Sequence, residues 1–129
     1  MSMTNYAEDL VLDWLLTNAA ATRPTAWYIG LFTAAPSDTG GGTEVSGSGY
    51  ARQAVTFTVS GTSPTQAANN AVIDYPTATG SWGTISHAAV FDAVSAGNML
   101  WWGALTSGVA ISTNDIFRWA SGAFVLTLD

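Results

Sequence analysis

The sequence predicts an all-β domain with one amino-terminal helix, arranged as an antiparallel sandwich or a jelly-roll-like barrel of about seven or more strands. Three observations carry that expectation. Only the first segment places apolar residues at helical spacing. Beyond Pro24, short apolar runs alternate with turns bearing glycine, proline and asparagine. Nearly every one of those runs also holds an aromatic residue, a composition suited to half-buried strands. At 129 residues the chain has the length of a single domain. We expect one unit over 1–129, with a helix at about 4–21 and a β portion at about 25–129.

In the helix, Ala7, Leu10, Val11, Trp14 and Leu15 mark one apolar face. Leu12 and Leu16 widen that surface beyond a single stripe, which predicts contact on two sides, one of them with another subunit. Asn5 with Glu8 resembles a capping box, and Thr4 competes for the cap. Glu8, Asp9 and Asp13 lie towards the positive end of the helix dipole. The dipeptide Arg23-Pro24 sets the latest stop, because proline disfavours helical backbone before it.

The first strand is the run 26–34, bounded by prolines. A glycine-rich loop over 36–50 follows, and its length predicts ordering against a partner. Val55, Phe57 and Val59 alternate with threonines at strand period. Further strands are expected at 72–75, 85–91, 99–105, 116–119 and 124–128. Trp101 and Trp102, as strand neighbours, must point to opposite faces. One then belongs to the core, and the other is exposed or in an interface.

Composition excludes several functions. Apolar residues make up 48% of the chain and charged residues 9%, which is the reverse of a disordered segment. The net charge is −6, with three arginines and no lysine. That gives no electrostatic footprint for nucleic acid or for anionic membrane surfaces. No apolar run approaches the roughly 20 residues of a membrane helix. Without cysteine there are no disulfides, thiol nucleophiles or thiolate metal sites. The amino terminus lacks a basic region before its apolar stretch, so a soluble cytosolic product is expected.

The search for chemistry finds little. His87 is the only histidine, and it has Asp74 or Asp92 as conceivable orienting partners but no serine elbow. Its apolar neighbours favour a packed, hydrogen-bonded ring. Asp74, Asp92 and Asp115 are candidates for paired carboxylates, but spacing alone does not bring any two of them together. No acidic loop has calcium-ligand spacing. The run Gly47-Ser48-Gly49 leads into Tyr50 and Arg52 and matches neither phosphate-loop pattern. We expect no catalysis, no cofactor and no metal.

Taken in order, Tyr28-Ile29-Gly30-Leu31-Phe32-Thr33-Ala34, Gly42-Thr43-Glu44-Val45, Gly49-Tyr50-Ala51-Arg52-Gln53 and Trp82-Gly83-Thr84-Ile85 running on to Val90-Phe91-Asp92-Ala93 form a recognisable series. The closing Phe124 to Leu128 and the opening acidic helix fit the same series. Over nearly the entire chain it resembles the small tailed-bacteriophage structural proteins usually labelled tail-fibre proteins. That resemblance implies a non-enzymatic virion component, made in the host bacterium, whose partners are copies of itself and other virion proteins. A capsid decoration or cement protein is the alternative placement. A second alternative is a host-glycan-binding module stacking sugars on Trp27, Trp82, Trp101, Trp102 or Trp119. The candidate interface comprises Leu12, Leu16, Glu44, Val45, Tyr50, Arg52, Trp101 and Trp102. Within it, Arg52 is placed either to form a bidentate bond with a carboxylate, Glu44 or a partner's acid, or as a solvated residue at a strand start.

Overall fold

A six-stranded antiparallel sheet organises the domain. The computed structural model describes residues 1–128, with one helix, α1 (Asn5–Leu16), and eleven strands among them. The strands are β1 (Ser2–Met3), β2 (Tyr28–Ala34), β3 (Thr43–Glu44), β4 (Gln53–Ala54), β5 (Phe57–Ser60), β6 (Thr65–Asn69), β7 (Ile73–Asp74), β8 (Gly83–Phe91), β9 (Met99–Ile111), β10 (Arg118–Trp119) and β11 (Val125–Leu128). The large sheet runs β1-β9-β8-β2-β3, and β4 also pairs with β2. A three-stranded sheet, β11-β6-β5, and the β10-β7 pair complete the all-β sandwich. Every pairing is antiparallel, as expected of strands joined by short connections.

Strand alternation divides the large sheet into two faces. Ile29 and Leu31 of β2 and Ala88 and Val90 of β8 enter the main core, where Ile73 and Leu126 of the smaller sheets and the adjoining Phe117 and Phe124 meet them. On the other face Phe32, Ala89 and Phe91 form a smaller cluster, with Phe32 and Phe91 stacked at 6.2 Å. A chain of edge-on aromatic contacts crosses the main core: Tyr75–Phe117 at 5.6 Å, Phe117–Trp119 at 5.2 Å and Trp119–Phe124 at 4.9 Å. Each such pair adds about 0.5–1.5 kcal/mol beyond its buried area. The ladder joins the β10-β7 pair to the segment leading into β11, so these short elements hold together through rings more than through their few ladder bonds.

The helix is shorter than the sequence predicts, ending at Leu16 rather than near residue 21. Thr17 stops it: its N–H and hydroxyl both donate to the Asp13 carbonyl, and its Oγ1 accepts from Ala19 N. The alanines that follow stay in irregular backbone. At the other end Thr4, not Asn5, is the cap. Its buried Oγ1 accepts from Ala7 N at 3.3 Å and donates to Met99 O at 2.6 Å, fastening the helix start to β9.

The segment 36–50 folds back on its own sheet. Ser37 and Gly40 exchange backbone bonds at 2.9 Å, Thr43–Glu44 pairs with β2, and Val45 N donates to Leu31 O. Gly42 sits at φ 74° with Pro36 N only 2.7 Å from where a Cβ would stand, so that turn admits glycine alone. β6, with sequence TQAAN, lies in a stretch without the branched alternation that marks a strand. It exists because β5 and β11 hydrogen-bond it from both sides.

Candidate functional site

Glu44, Tyr50 and Arg52 converge on the back of β2. Arg52 Nε and Nη2 donate to Glu44 Oε1 and Oε2, each at 2.8 Å, in the bidentate geometry that matches guanidinium to carboxylate. Its Nη1 donates to Ala93 O and Ala96 O in the β8–β9 turn. The guanidinium carbon lies 3.4 Å from the Phe91 ring centroid, a cation–π contact. The Tyr50 hydroxyl donates to Glu44 Oε1 and accepts from Leu31 N, both at 2.9 Å. Gly30 makes room: a Cβ there would stand 2.8 Å from Glu44 Oε1. With the Arg52 side chain only 8% exposed, these groups form an internal staple rather than an open binding surface. Val45 is likewise buried, in the main core. The bidentate Arg52–Glu44 reading is the one the structure adopts. Sequence reasoning missed the Tyr50 bridge, because its acceptor role towards Leu31 N depends on how two strands meet.

Burial, the largest cause, pushes the hydroxyl pKa values of Tyr50 and Tyr75 well above the ordinary 10.0. Tyr75 Oη also donates to Ile29 O at 2.8 Å, a bond that needs the proton. A pKa raised in the folded state adds stability that is complete below the unfolded value and is lost as pH rises through the native one. Alkaline spectrophotometric titration should therefore find two of the four tyrosines silent through pH 10, ionising only as the domain unfolds. Four tyrosines titrating together while the fold persists would contradict this.

Trp101 and Trp102 do take opposite faces: Trp101 packs against the main core and Trp102 against the Phe32–Phe91 cluster. Trp102 Nε1 donates to Asp38 at 2.8 Å. His87 is half-buried, with Nδ1 2.8 Å from Ser86 Oγ. The candidate acids serve separate local contacts. Asp74 pairs with Arg118, Asp92 accepts from Asn98, and Asp115 accepts from Ser112 N. Among the described residues no group of three potential metal ligands gathers. Ser48, between two glycines of positive φ, offers its carbonyl to Trp82 Nε1 and Thr79 N, so the run Gly47-Ser48-Gly49 closes a turn over the core. A cleft of about 450 Å³ opens near Thr4, Asp38, Glu44 and Asn98. Each of those four side chains is already hydrogen-bonded within the chain.

Open apolar surface is concentrated on α1. Ala7 is its only buried residue, while Trp14 is 72% and Leu16 75% exposed. Along the stripe Ala7 is buried and Leu10 and Val11 are half-buried, but Trp14 stands in solvent. Behind it, Leu10, Val11, Trp14, Ala21 and Arg23 line a second cleft of about 270 Å³. Leu12 is also exposed. No helix among the described residues is long and apolar enough to cross a membrane.

Residues 2–127 match the family described as podophage GP4 fiber I protein gp80. The chain belongs to this family. It is thus a bacteriophage virion structural protein related to tail fibres. The match takes in α1 as well as the sheets, so the exposed helix is part of the family's domain and not an appendage to it. No curated protein matches the chain.

Proposed function

We propose that this fiber I family member is a non-enzymatic component of the podophage tail fibre, made in the host cytoplasm and held in the virion by contacts with its own copies and with neighbouring virion proteins. The observation that carries this reading is the apolar surface of α1 in a chain whose family membership runs from end to end. Exposed apolar patches rimmed by polar residues mark association sites. Hydrogen bonds among the acids, His87 and Arg52 stay local or structural, which supports a role in building rather than in catalysis.

The tryptophans proposed to stack on glycans are poorly placed for it. Trp82 is buried, and Trp27, Trp101, Trp102 and Trp119 are half-covered by the domain's own side chains. Trp14 is the exposed ring, and it shares its surface with leucines as protein interfaces do. Imaging intact particles with an electron-dense label on this chain tests the placement. Label on the tail is the expected result. Label confined to the head would replace the fibre role with capsid decoration, and unlabelled particles would remove the virion role altogether.

A further inference from the structure

Three successive glycines, Gly40, Gly41 and Gly42, line the cleft beside the start of α1. All three have positive φ, and a Cβ on Gly40 or Gly41 would meet nothing within 4 Å. Their conformation demands glycine, and its consequence is a wall without side chains, where a bound molecule can come close to the backbone. Phe32 and Phe91, buried and stacked on each other, also line the cleft, as does the half-buried Met99. At about 450 Å³, the volume lies within the range of roughly 300–1,000 Å³ usual for small-molecule sites. An apolar floor under a few convergent polar groups is how such sites are built.

The polar groups around that floor keep bonding capacity unspent. Asp38 Oδ1 accepts from Trp102 Nε1 and Ser2 Oγ, while its Oδ2 accepts from no described residue. Asn98 Nδ2 donates to Asp92, and Asn98 Oδ1 has no partner among the described residues. The same holds for the Asn5 side chain, the Tyr6 hydroxyl and the backbone N–H groups of Tyr6 and Gly41. Donors and acceptors thus stand side by side. Charge narrows the ligand further. Arg52 already neutralises Glu44, so the charge left over is the exposed Asp38 carboxylate, which repels an anion. A pairing with one exposed carboxylate also holds a cation weakly. The chemistry that remains is a neutral molecule with an apolar face, whose neighbouring groups each donate and accept. Hydroxyls on a sugar ring meet that description.

We propose that this cleft binds a neutral sugar unit. The apolar face of the ring lies towards Phe32, Phe91 and Met99, and its hydroxyls bond to Asp38 Oδ2, Asn98 Oδ1 and the Gly41 backbone. Tyr6, 42% exposed, closes one side. The tryptophans suggested by composition for sugar stacking take no part, since none among the described residues lines the cleft. The inference stands on the cleft alone and takes nothing from the placement in the tail.

Saturation-transfer and amide-correlation NMR on the full chain test it. The probes are the methyl glycosides of glucose, galactose, rhamnose and N-acetylglucosamine at millimolar concentration. The expected result is saturable binding of at least one of them, with the amide signals of Tyr6, Gly41 and Asn98 shifting together. Inorganic phosphate and putrescine should cause no such shift. Asp38→Asn keeps Oδ1 for Trp102 and removes the unbonded carboxylate oxygen, which should weaken binding about tenfold. Tyr6→Ala should weaken it comparably at unchanged far-ultraviolet dichroism, because the Tyr6 hydroxyl bonds to no described residue. That second variant decides the matter if Asp38→Asn unfolds the chain. No binding of any glycoside, binding that survives both changes, or phosphate or putrescine binding in place of the sugars would each overturn the inference. A chain that binds sugar yet is absent from the tail would keep the inference and refute the fibre role. A labelled tail whose chain binds no sugar would do the reverse.

Discussion

Arg52→Ala is expected to destabilise the domain by about 3 kcal/mol, the low end of the cost of removing one partner from a buried ion pair, because the Glu44 side chain stays 24% exposed. The loss has several parts that act together. The Glu44 carboxylate keeps the Tyr50 hydroxyl but loses both guanidinium bonds. Ala93 O and Ala96 O lose their donor, and the Phe91 ring loses the cation above it. Urea denaturation followed by tryptophan fluorescence, at fixed protein concentration, measures the change. The second arm is Glu44→Gln in the Arg52→Ala background. Removing the stranded charge should recover part of the stability, because much of the penalty comes from leaving a carboxylate unpaired. A single variant within ~0.5 kcal/mol of wild type would mean the staple behaves like an exposed surface pair.

The second large effect is expected at Asn69, a buried polar residue where β6 ends. Its Nδ2 donates to Ala71 O at 2.8 Å and Ala120 O at 2.9 Å, and its Oδ1 accepts from Phe124 N at 2.8 Å. One amide thereby satisfies three backbone groups that the sheets leave over. Asn69→Leu fills a similar volume yet strands Phe124 N and Ala71 O, while Ala120 O keeps its bond from Ala123 N. At about 1–3 kcal/mol for each group left without a partner, the total should be roughly 2–3 kcal/mol. Against a whole-domain stability of about 5–15 kcal/mol, that is a large share. Hydrogen exchange gives an independent reading. The Phe124 amide should lose protection first, since its acceptor disappears. Protection there equal to wild type would show that another group takes over the role of Oδ1.

Particular residues show what the chain reveals before it folds. The pairing of Arg52 with Glu44 was only half legible: the sequence left it beside a partner's acid or a solvated strand start, and the fold selected Glu44 by bringing the two side chains together over β2. The opposite facing of Trp101 and Trp102 was legible because strand geometry alone imposes it. Asn69 was not legible. Nothing in TQAAN distinguishes a surface amide from one that three backbone groups surround. Trp14 was misplaced for a related reason: its spacing puts it with Ala7 on one stripe, but spacing does not say what comes to lie against each turn of that stripe.

The sequence by itself determined the class of this protein: one short acidic helix, then strands and turns, with no charge pattern for nucleic acid and no cysteine. Those properties follow from local periodicity and composition, which act over a few residues and need no partner. Tertiary structure alone decided the rest. It turned the loop over 36–50 inward, burying Val45 and closing Glu44 onto Arg52. It made β6 a strand by flanking it with β5 and β11. It also left Leu12, Trp14, Leu15 and Leu16 without cover. Burial depends on which element comes to lie opposite a side chain, and that is a property of the folded whole that no run of neighbouring residues encodes.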